Sequence, residues 1–433
     1  MIINKNKIIV ITYDFFPDNS PNTYRWYNVL KSWKKHNLEI FVVTALKGNL
    51  LPYEEVDGIK IYRVSNSVLD NLKKNVAPAK SDVATQTIES SESSHEVSLI
   101  KKIYNLTWKK IYFPDFAFLW KKPAYKMASE LIKEHKIYNV ITVSWPFTDH
   151  VVGNLLKKKF AINWIADTID PFYLSDAVNN RFLYKNRSKR LEAKTLSTAD
   201  SISVLTPKLK QAYSELYPHL KNKISVNHNI FVPNPVFVEK KAKSHNEVFK
   251  FTFVGTLSKK TREPHLLLKF FTYLLDNNKS NIQYQLHFYG NYYQFTEDFQ
   301  KFDKLLNKNI FLHGFIDRNK VVEVIQDSDV VVNIGNHNSY QEPSKVLEYV
   351  YMQKPILNVC SIKEDTTKEL LQFYPHKFNV ESDQIYNDEL LENFHTFIEE
   401  NKIINENYEK NIENYFLDAI EKKYFKLLKF HNE

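Results

Sequence analysis

The segment QEPSKVLEYVYMQKPIL (341–357) combines residue types and spacing suited to binding a phosphorylated diol. At about 100° per residue, a helix near 343–353 places Ser344, Lys345 and Glu348 on one face and Val346, Leu347 and Val350 on the opposite one. Pro343 suits the first turn, whose free N–H groups would attract an anion beside Lys345. Glu348, one turn further in, is placed to accept two hydrogen bonds from a ribose-like diol. The same spacing also describes an ordinary amphipathic helix with a solvated Lys–Glu pair at i,i+3. A second segment, FVGTLSKKTREP (253–264), ends a strand at Gly255-Thr256 and then sets Lys259, Lys260 and Arg262 on a loop. Glycine allows close backbone approach there, and arginine suits bidentate phosphate contact. A solvated basic loop is the alternative.

The elements that must position these groups are legible as alternating strands and helices. In the second half, strands are expected at 249–256, 284–289, 309–314, 329–335 and 355–359, with helices near 263–277, 294–307, 319–327 and 343–353 between them. Continuous apolar strands separated by helices imply a parallel sheet covered on both faces. The first half repeats the pattern, with strands at 7–13, 38–45, 60–65, 138–144, 163–167 and 200–205 and helices near 21–36, 122–136, 147–159, 178–197 and 207–217. The fold class is therefore α/β, with two doubly wound Rossmann-like domains facing across a cleft. Residues 1–235 are expected to form the first domain and 236–407 the second, with a last helix, 408–428, in a terminal segment, 408–433, that crosses back to the first. The interdomain linker is placed at 231–248 and a mobile loop at 78–98. Such sheets bind ligands beyond the carboxyl ends of their strands, which suggests a nucleotide-type ligand.

Composition narrows the functions available. The chain has 433 residues and only seven glycines. Average usage of roughly 7% would give about 30, so a Walker loop or a GxGxxG site is unexpected, and neither occurs. One cysteine, Cys360, excludes a disulfide framework and a cysteine zinc site. A signal peptide and an apolar membrane span are both unexpected, and a cytoplasmic location follows as an expectation. The net charge of +9 divides unevenly: residues 1–250 hold 38 Lys+Arg against 23 Asp+Glu, and residues 251–433 hold 21 against 27. A basic half of this kind suits a polyanion or an anionic membrane surface. The segment 101–126, with seven lysines, one acid and eight aromatics, fits a membrane interface. No nucleic-acid-binding module is present, so nucleic acid is not an expected partner. Asp327-Ser328-Asp329 imitates a metal-binding Asp-x-Asp but reads as a helix-to-strand turn, and no essential metal is expected.

These motifs carry a resemblance. PSKVLEYVYMQKPIL resembles the PSK-x-x-EYMA-x-GKPI variant of the Glu-x7-Glu segment in family-4 glycosyltransferases (glycosyltransferase group 1, WbuB-like subgroup) of GT-B architecture. FVGTLSKKTREP resembles that family's G-x-L-x-x-x-R-x-P loop. In the first half, SPNTYRWYNVLKSW (20–33), SWPFTDHVVGNLLKKK (144–159) and WIADTIDPF (164–172) are similar to family segments in the same order.

The resemblance implies a retaining transfer from a nucleotide sugar of UDP or GDP type, with no further cofactor, to a lipid-linked or polysaccharide acceptor in surface-glycan (capsule, O-antigen or exopolysaccharide) biosynthesis. Arg262 with Lys259 or Lys260 would hold the donor diphosphate beside Ser344, Lys345, Gly255 and Thr256, and Glu348 the ribose. The first Glu of the pattern is replaced by Tyr340, and Glu342 is near but out of register, so a front-face substitution is the natural mechanism. In the first domain, Asp167 and Asp170 are expected to point from a strand end into the cleft for acceptor or base work. His150 is expected in the first turn of its helix, on the surface or in catalysis; Asn22 and Tyr24 are expected beside the acceptor, and Arg25 beside the acceptor or the donor phosphates. Two other readings stand: a GT-B epimerase or phosphorylase, and a catalytically silent GT-B binding subunit.

Overall fold

The computed structural model describes residues 6–18, 20–65, 112–175, 181–233, 248–278, 282–383, 386–400 and 407–430. The expected loop at 78–98, residues 234–247 of the linker, and residues 101–111 of the basic aromatic segment lie outside them. The chain divides into two compact units, residues 1–227 with 421–433, and residues 228–420.

The first unit is built on an eight-stranded sheet. Its strands are β1 (Lys7–Ile11), β2 (Glu39–Ala45), β3 (Tyr53–Val56), β4 (Ile59–Val64), β5 (Asn139–Ser144), β6 (Asn163–Thr168), β7 (Ser201–Val204) and β8 (Ile224–Val226). The order is β3-β4-β2-β1-β5-β6-β7-β8. All neighbours are parallel except β3 and β4, which form a hairpin across Asp57-Gly58, both at positive φ. Strands β5 and β6 are buried along their whole length, as continuous apolar runs under helices on both faces require.

The second unit holds six strands, all parallel: β9 (Val248–Val254), β10 (Gln283–Tyr289), β11 (Ile310–Gly314), β12 (Val330–Ile334), β13 (Ile356–Val359) and β14 (Lys377–Val380). Their order is β11-β10-β9-β12-β13-β14. This is the doubly wound Rossmann order, and the chain direction switches between β9 and β12; in the first unit the switch lies between β1 and β5. One core packs Phe251, Phe253, Leu268 and Phe394 on one face of the second sheet, and another packs Val254, Ile325, Val331 and Tyr349 on the other.

Two expected helices differ from the observed ones. The helix near 294–307 is confined to Thr296–Gln300, because the chain then turns at Asn307, in the left-handed region, and Leu306 bridges to Ile310. The last helix is broken into Glu409–Ile412, a 3-10 turn at Glu413–Tyr415, and Leu417–Phe425. From Glu421 onward the chain packs within the first unit, where Tyr424 lies 4.9 Å from Trp26 and the Leu427 carbonyl accepts a hydrogen bond from Asn163.

A glycine sets the packing of helix Thr148–Lys159 on the first sheet. A Cβ at Gly153 would sit 2.4 Å from the Trp164 ring, which is fully buried. Gly153→Ala is therefore expected to overpack this contact and cost about 1–3 kcal/mol, read as a lower denaturant midpoint. An unchanged midpoint would contradict this packing account.

Candidate active site

The carboxyl edge of the second sheet is shaped by four glycines. Gly255, Gly290 and Gly335 directly follow β9, β10 and β12, and Gly314 ends β11. A Cβ at Gly335 would lie 1.8 Å from Asp365 Oδ2, so glycine is what lets this carboxylate approach the end of β12. Asp365 Oδ1 in turn caps the helix Thr366–Leu370, accepting from the Thr367 and Lys368 amides.

Between Gly255 and the helix His265–Asp276, the chain folds into a tight loop closed by reciprocal Ser258–Arg262 backbone bonds of 2.8 Å. The loop after β12 joins it, since the His337 amide donates to the Thr261 carbonyl at 2.8 Å. Arg262 Nη2 donates to Asn336 Oδ1 at 3.0 Å, and Asn336 donates in turn to the Gln341 carbonyl. Arg262 Nε is buried with no hydrogen-bond partner among the described residues. Burial lowers the guanidinium pKa from its ordinary value, opposed by Tyr349 and Asp365. A half-buried cation with an unused donor, at the switch point of a Rossmann sheet, is a natural anion ligand. Thr256, Lys259 and Lys260 are exposed on the same loop. The Lys259 amide donates to Gln294.

The expected helix at 343–353 spans Lys345–Tyr351, with Ser344 exposed at its cap. Val346, Leu347, Tyr349 and Val350 are buried, while Lys345 Nζ meets Glu348 Oε2 at 2.6 Å. Burial pushes the Tyr349 hydroxyl pKa up, with Glu348 adding to the shift and Arg262 opposing it. Tyr340 and Gln341 donate their amides to Asn338 Oδ1 in a turn that carries no carboxylate at position 340. Glu342 is half-buried, and burial together with Glu369 pushes its carboxyl up to about 8.

In the first unit three expectations require correction. Arg25 is buried rather than open to an acceptor: Nη2 donates to the Asn227 carbonyl at 2.8 Å and to the Tyr424 hydroxyl at 2.6 Å. Asp167 is fully buried, accepting from Trp26 Nε1 at 2.8 Å and from the Tyr424 hydroxyl, and Arg25 Nε lies 3.8 Å away. It joins the terminal segment to the sheet and does not face a ligand. His150 is also fully buried, between Thr142 at 2.7 Å and Thr168 at 3.2 Å, and burial pushes it down to about 3. It is a neutral structural imidazole. Asp170, by contrast, is half-buried beyond β6, its carbonyl accepting from Ser144 Oγ. Asn22 and Tyr24 are half-buried near the start of helix Pro21–Ser32, and Asn22 reaches the Ser144 carbonyl at 3.5 Å.

Sequence reasoning missed Asp14, Asp18 and Lys47 at the carboxyl edge of this sheet. Lys47 pairs with both aspartates, which raise its pKa. The two acids of DFFPD were visible as a pair, but nothing local tied them to Lys47.

Residues 237–413 match the family model described as glycosyl transferases group 1. This stretch lies almost wholly within the second unit and is similar to the group 1 glycosyl transferases. A comparison with curated protein sequences gives no match. Solved structures similar to the chain share its fold at low identity. Sucrose-phosphate synthase from Thermosynechococcus elongatus is 11% identical with 98% of each chain covered and a TM-score of 0.65. HepE of Anabaena, solved with UDP and glucose, is 11% identical over 97% of this chain and 98% of its own, with a TM-score of 0.59. WaaG, a glycosyltransferase involved in lipopolysaccharide biosynthesis, is 12% identical over 98% and 100%, with a TM-score of 0.54. These likenesses carry the GT-B fold alone.

Glu342 offers a test of the electrostatics beside this site. A carboxyl raised from 4.5 to about 8 stabilises the folded domain fully below pH 4.5, and that contribution is lost as pH rises through 8. Calorimetry is expected to show the unfolding temperature of the second unit falling across this window. In Glu342→Gln the fall should be smaller and stability at pH 9 higher than in the parent. An identical pH profile in the variant would contradict the assigned burial.

Proposed function

We propose that the chain is a retaining, metal-independent glycosyltransferase that uses a nucleotide-sugar donor and a lipid-linked or polysaccharide acceptor of surface-glycan synthesis. The observation that carries this reading is Arg262: a guanidinium held by Asn336 at the β9/β12 switch point, with a buried Nε–H still to be satisfied. The donor diphosphate binds there, assisted by Lys345 and by the Lys259-Lys260 loop. The ribose binds Glu348, whose pairing with Lys345 already fixes the carboxylate.

In the reaction the bond from the anomeric carbon to the diphosphate oxygen breaks, and its electron pair leaves with the diphosphate. Arg262 and Lys345 stabilise the charge that develops on the leaving group. The acceptor hydroxyl attacks the same face, and its proton passes to a leaving-group oxygen. No carboxylate stands at position 340 to act as nucleophile, which favours this front-face course. Among the described residues, no group of three or more His, Cys, Asp and Glu side chains is arranged to hold a metal.

An anionic, lipid-linked acceptor is supported by the helix Arg181–Ser197. Lys185, Arg187, Lys189, Arg190 and Lys194 are exposed on it, together with Leu183. Its one acid, Glu192, is buried and accepts from the Phe172 amide and the Tyr213 and Tyr217 hydroxyls. The outward charge of this helix is thus wholly positive. No helix of the described residues is long and apolar enough to cross a membrane, so contact would be peripheral.

Two experiments test the reading. With a panel of UDP-, GDP- and ADP-sugars, the parent should show turnover or thermal stabilisation. Arg262→Ala should lose about 10²-fold or more in kcat, and Glu348→Ala its nucleotide binding. Full nucleotide affinity in Glu348→Ala, or no response to any donor in the parent, would reject the assignment. In vesicle co-sedimentation, replacing Lys185, Arg187 and Arg190 by Gln should weaken binding to anionic lipid about 100-fold, at about 1 kcal/mol per charge. Equal binding by parent and variant would remove the support from this helix.

A further inference from the structure

On the face of the second sheet that carries helix Arg318–Asp327, the packed core stops before the sheet does. Val321 and Ile325 of that helix are buried in one cluster with Val254 and Val331 of the sheet, and Tyr289 packs against its margin. Toward the β11 edge the same face changes character. Thr252, His287 and Phe311 stand abreast on β9, β10 and β11, with Lys250, Tyr289 and His313 at neighbouring positions of the same face.

The rings form an ordered wall. Tyr289 and His313 stack at 4.1 Å, and His287 and Phe311 at 4.8 Å, with planes within 10° in each pair. His287 Nδ1 and His313 Nε2 are 2.9 Å apart, and His287 Nε2 contacts Gln285 Oε1 at 3.2 Å. These contacts fix the ring orientations. Between the wall and the helix lies a cleft of about 210 Å³ lined by Lys250, Thr252, His287, Tyr289, Glu323, Val324 and Asp327. It lies on the face of the sheet, whereas Gly255, Arg262 and Lys345 lie beyond the carboxyl ends of the strands.

We propose that this cleft is a second carbohydrate site, taking one neutral monosaccharide unit and separate from the donor site. Its volume is below the ~300 Å³ at which typical drug-sized ligand pockets begin, which suits a single sugar ring. Its walls alternate apolar surface, from Val324 and the Tyr289 ring, with hydroxyl-binding groups on Thr252, Glu323 and Asp327. Charge selects against phosphate: Lys250 is already paired with Asp327 at 2.6 Å, so Glu323 leaves the lining net negative. A nucleotide or sugar phosphate is therefore a poor occupant and a neutral glycan a good one. The site does not rest on the donor assignments above, and its test needs no turnover.

Saturation-transfer NMR with the methyl glycosides of glucose, galactose, mannose and N-acetylglucosamine, and with glucose 1-phosphate as the anionic control, reads binding directly. At least one neutral glycoside should bind the full chain, and glucose 1-phosphate more weakly. Glu323→Gln, on an exposed helix position, and Val324→Phe, which fills the cleft, should each weaken that binding at least tenfold, with the unfolding temperature confirming a folded chain. Glu348→Ala should leave it unchanged. No binding of any neutral glycoside, binding indifferent to both cleft variants, loss in Glu348→Ala, or preference for the phosphate would each overturn the proposal.

Discussion

Two glycine backbones in contact set the architecture at the carboxyl edge of the second sheet. Gly290 has φ +120°, and a Cβ on it would lie 2.1 Å from the Gly255 carbonyl oxygen. The Gly255 amide bonds the Tyr289 carbonyl and the Gly290 amide the Gly314 carbonyl, so three strand ends are drawn together where side chains would hold them apart. The Arg262 guanidinium occupies the room left over Gly255, 3.3 Å from where its Cβ would be. A chain with only seven glycines has placed four at one sheet edge, beside the Arg262 side chain.

The first unit depends on a different device. Asp167, Tyr424, Arg25 and Ser203 form one buried polar network, in which the Tyr424 hydroxyl contacts all three partners. Buried polar groups are tolerated when each finds a partner. This network ties helix Pro21–Ser32, β6 and β7 to the terminal segment. The residues that resemble family segments here include several that serve the fold and not a ligand.

What was legible follows from which interactions are local. The six strands expected in the first half and the five expected in the second were readable because runs such as IIVI and VVVNI admit little besides a doubly covered strand. Strand β3, YEEV, escaped because it is a polar edge strand with alternate exposure, and β14, KFNV, because it is short and mixed. Helix Asp388–Glu400 buries Leu390, Leu391, Phe394, Phe397 and Ile398, a helical spacing that was present in the sequence and unread. Asp167 and His150 were misplaced for different reasons. A strand buried on both faces buries its polar side chains too, and the partner of Asp167 is remote, with Tyr424 257 residues away; His150 lies on the helix Thr148–Lys159 but turns inward between Thr142 and Thr168 of the sheet. The Lys345–Glu348 pair, set by helical spacing, was readable.

The most direct measurement of the central claim is a crystal structure of the chain soaked with the nucleotide diphosphate that stabilises it best. The account predicts the diphosphate on Arg262, with its Nε–H satisfied, and the ribose hydroxyls on Glu348. A diphosphate bound instead at the edge of the first sheet, against Asn22 and the loop after β1, would contradict it.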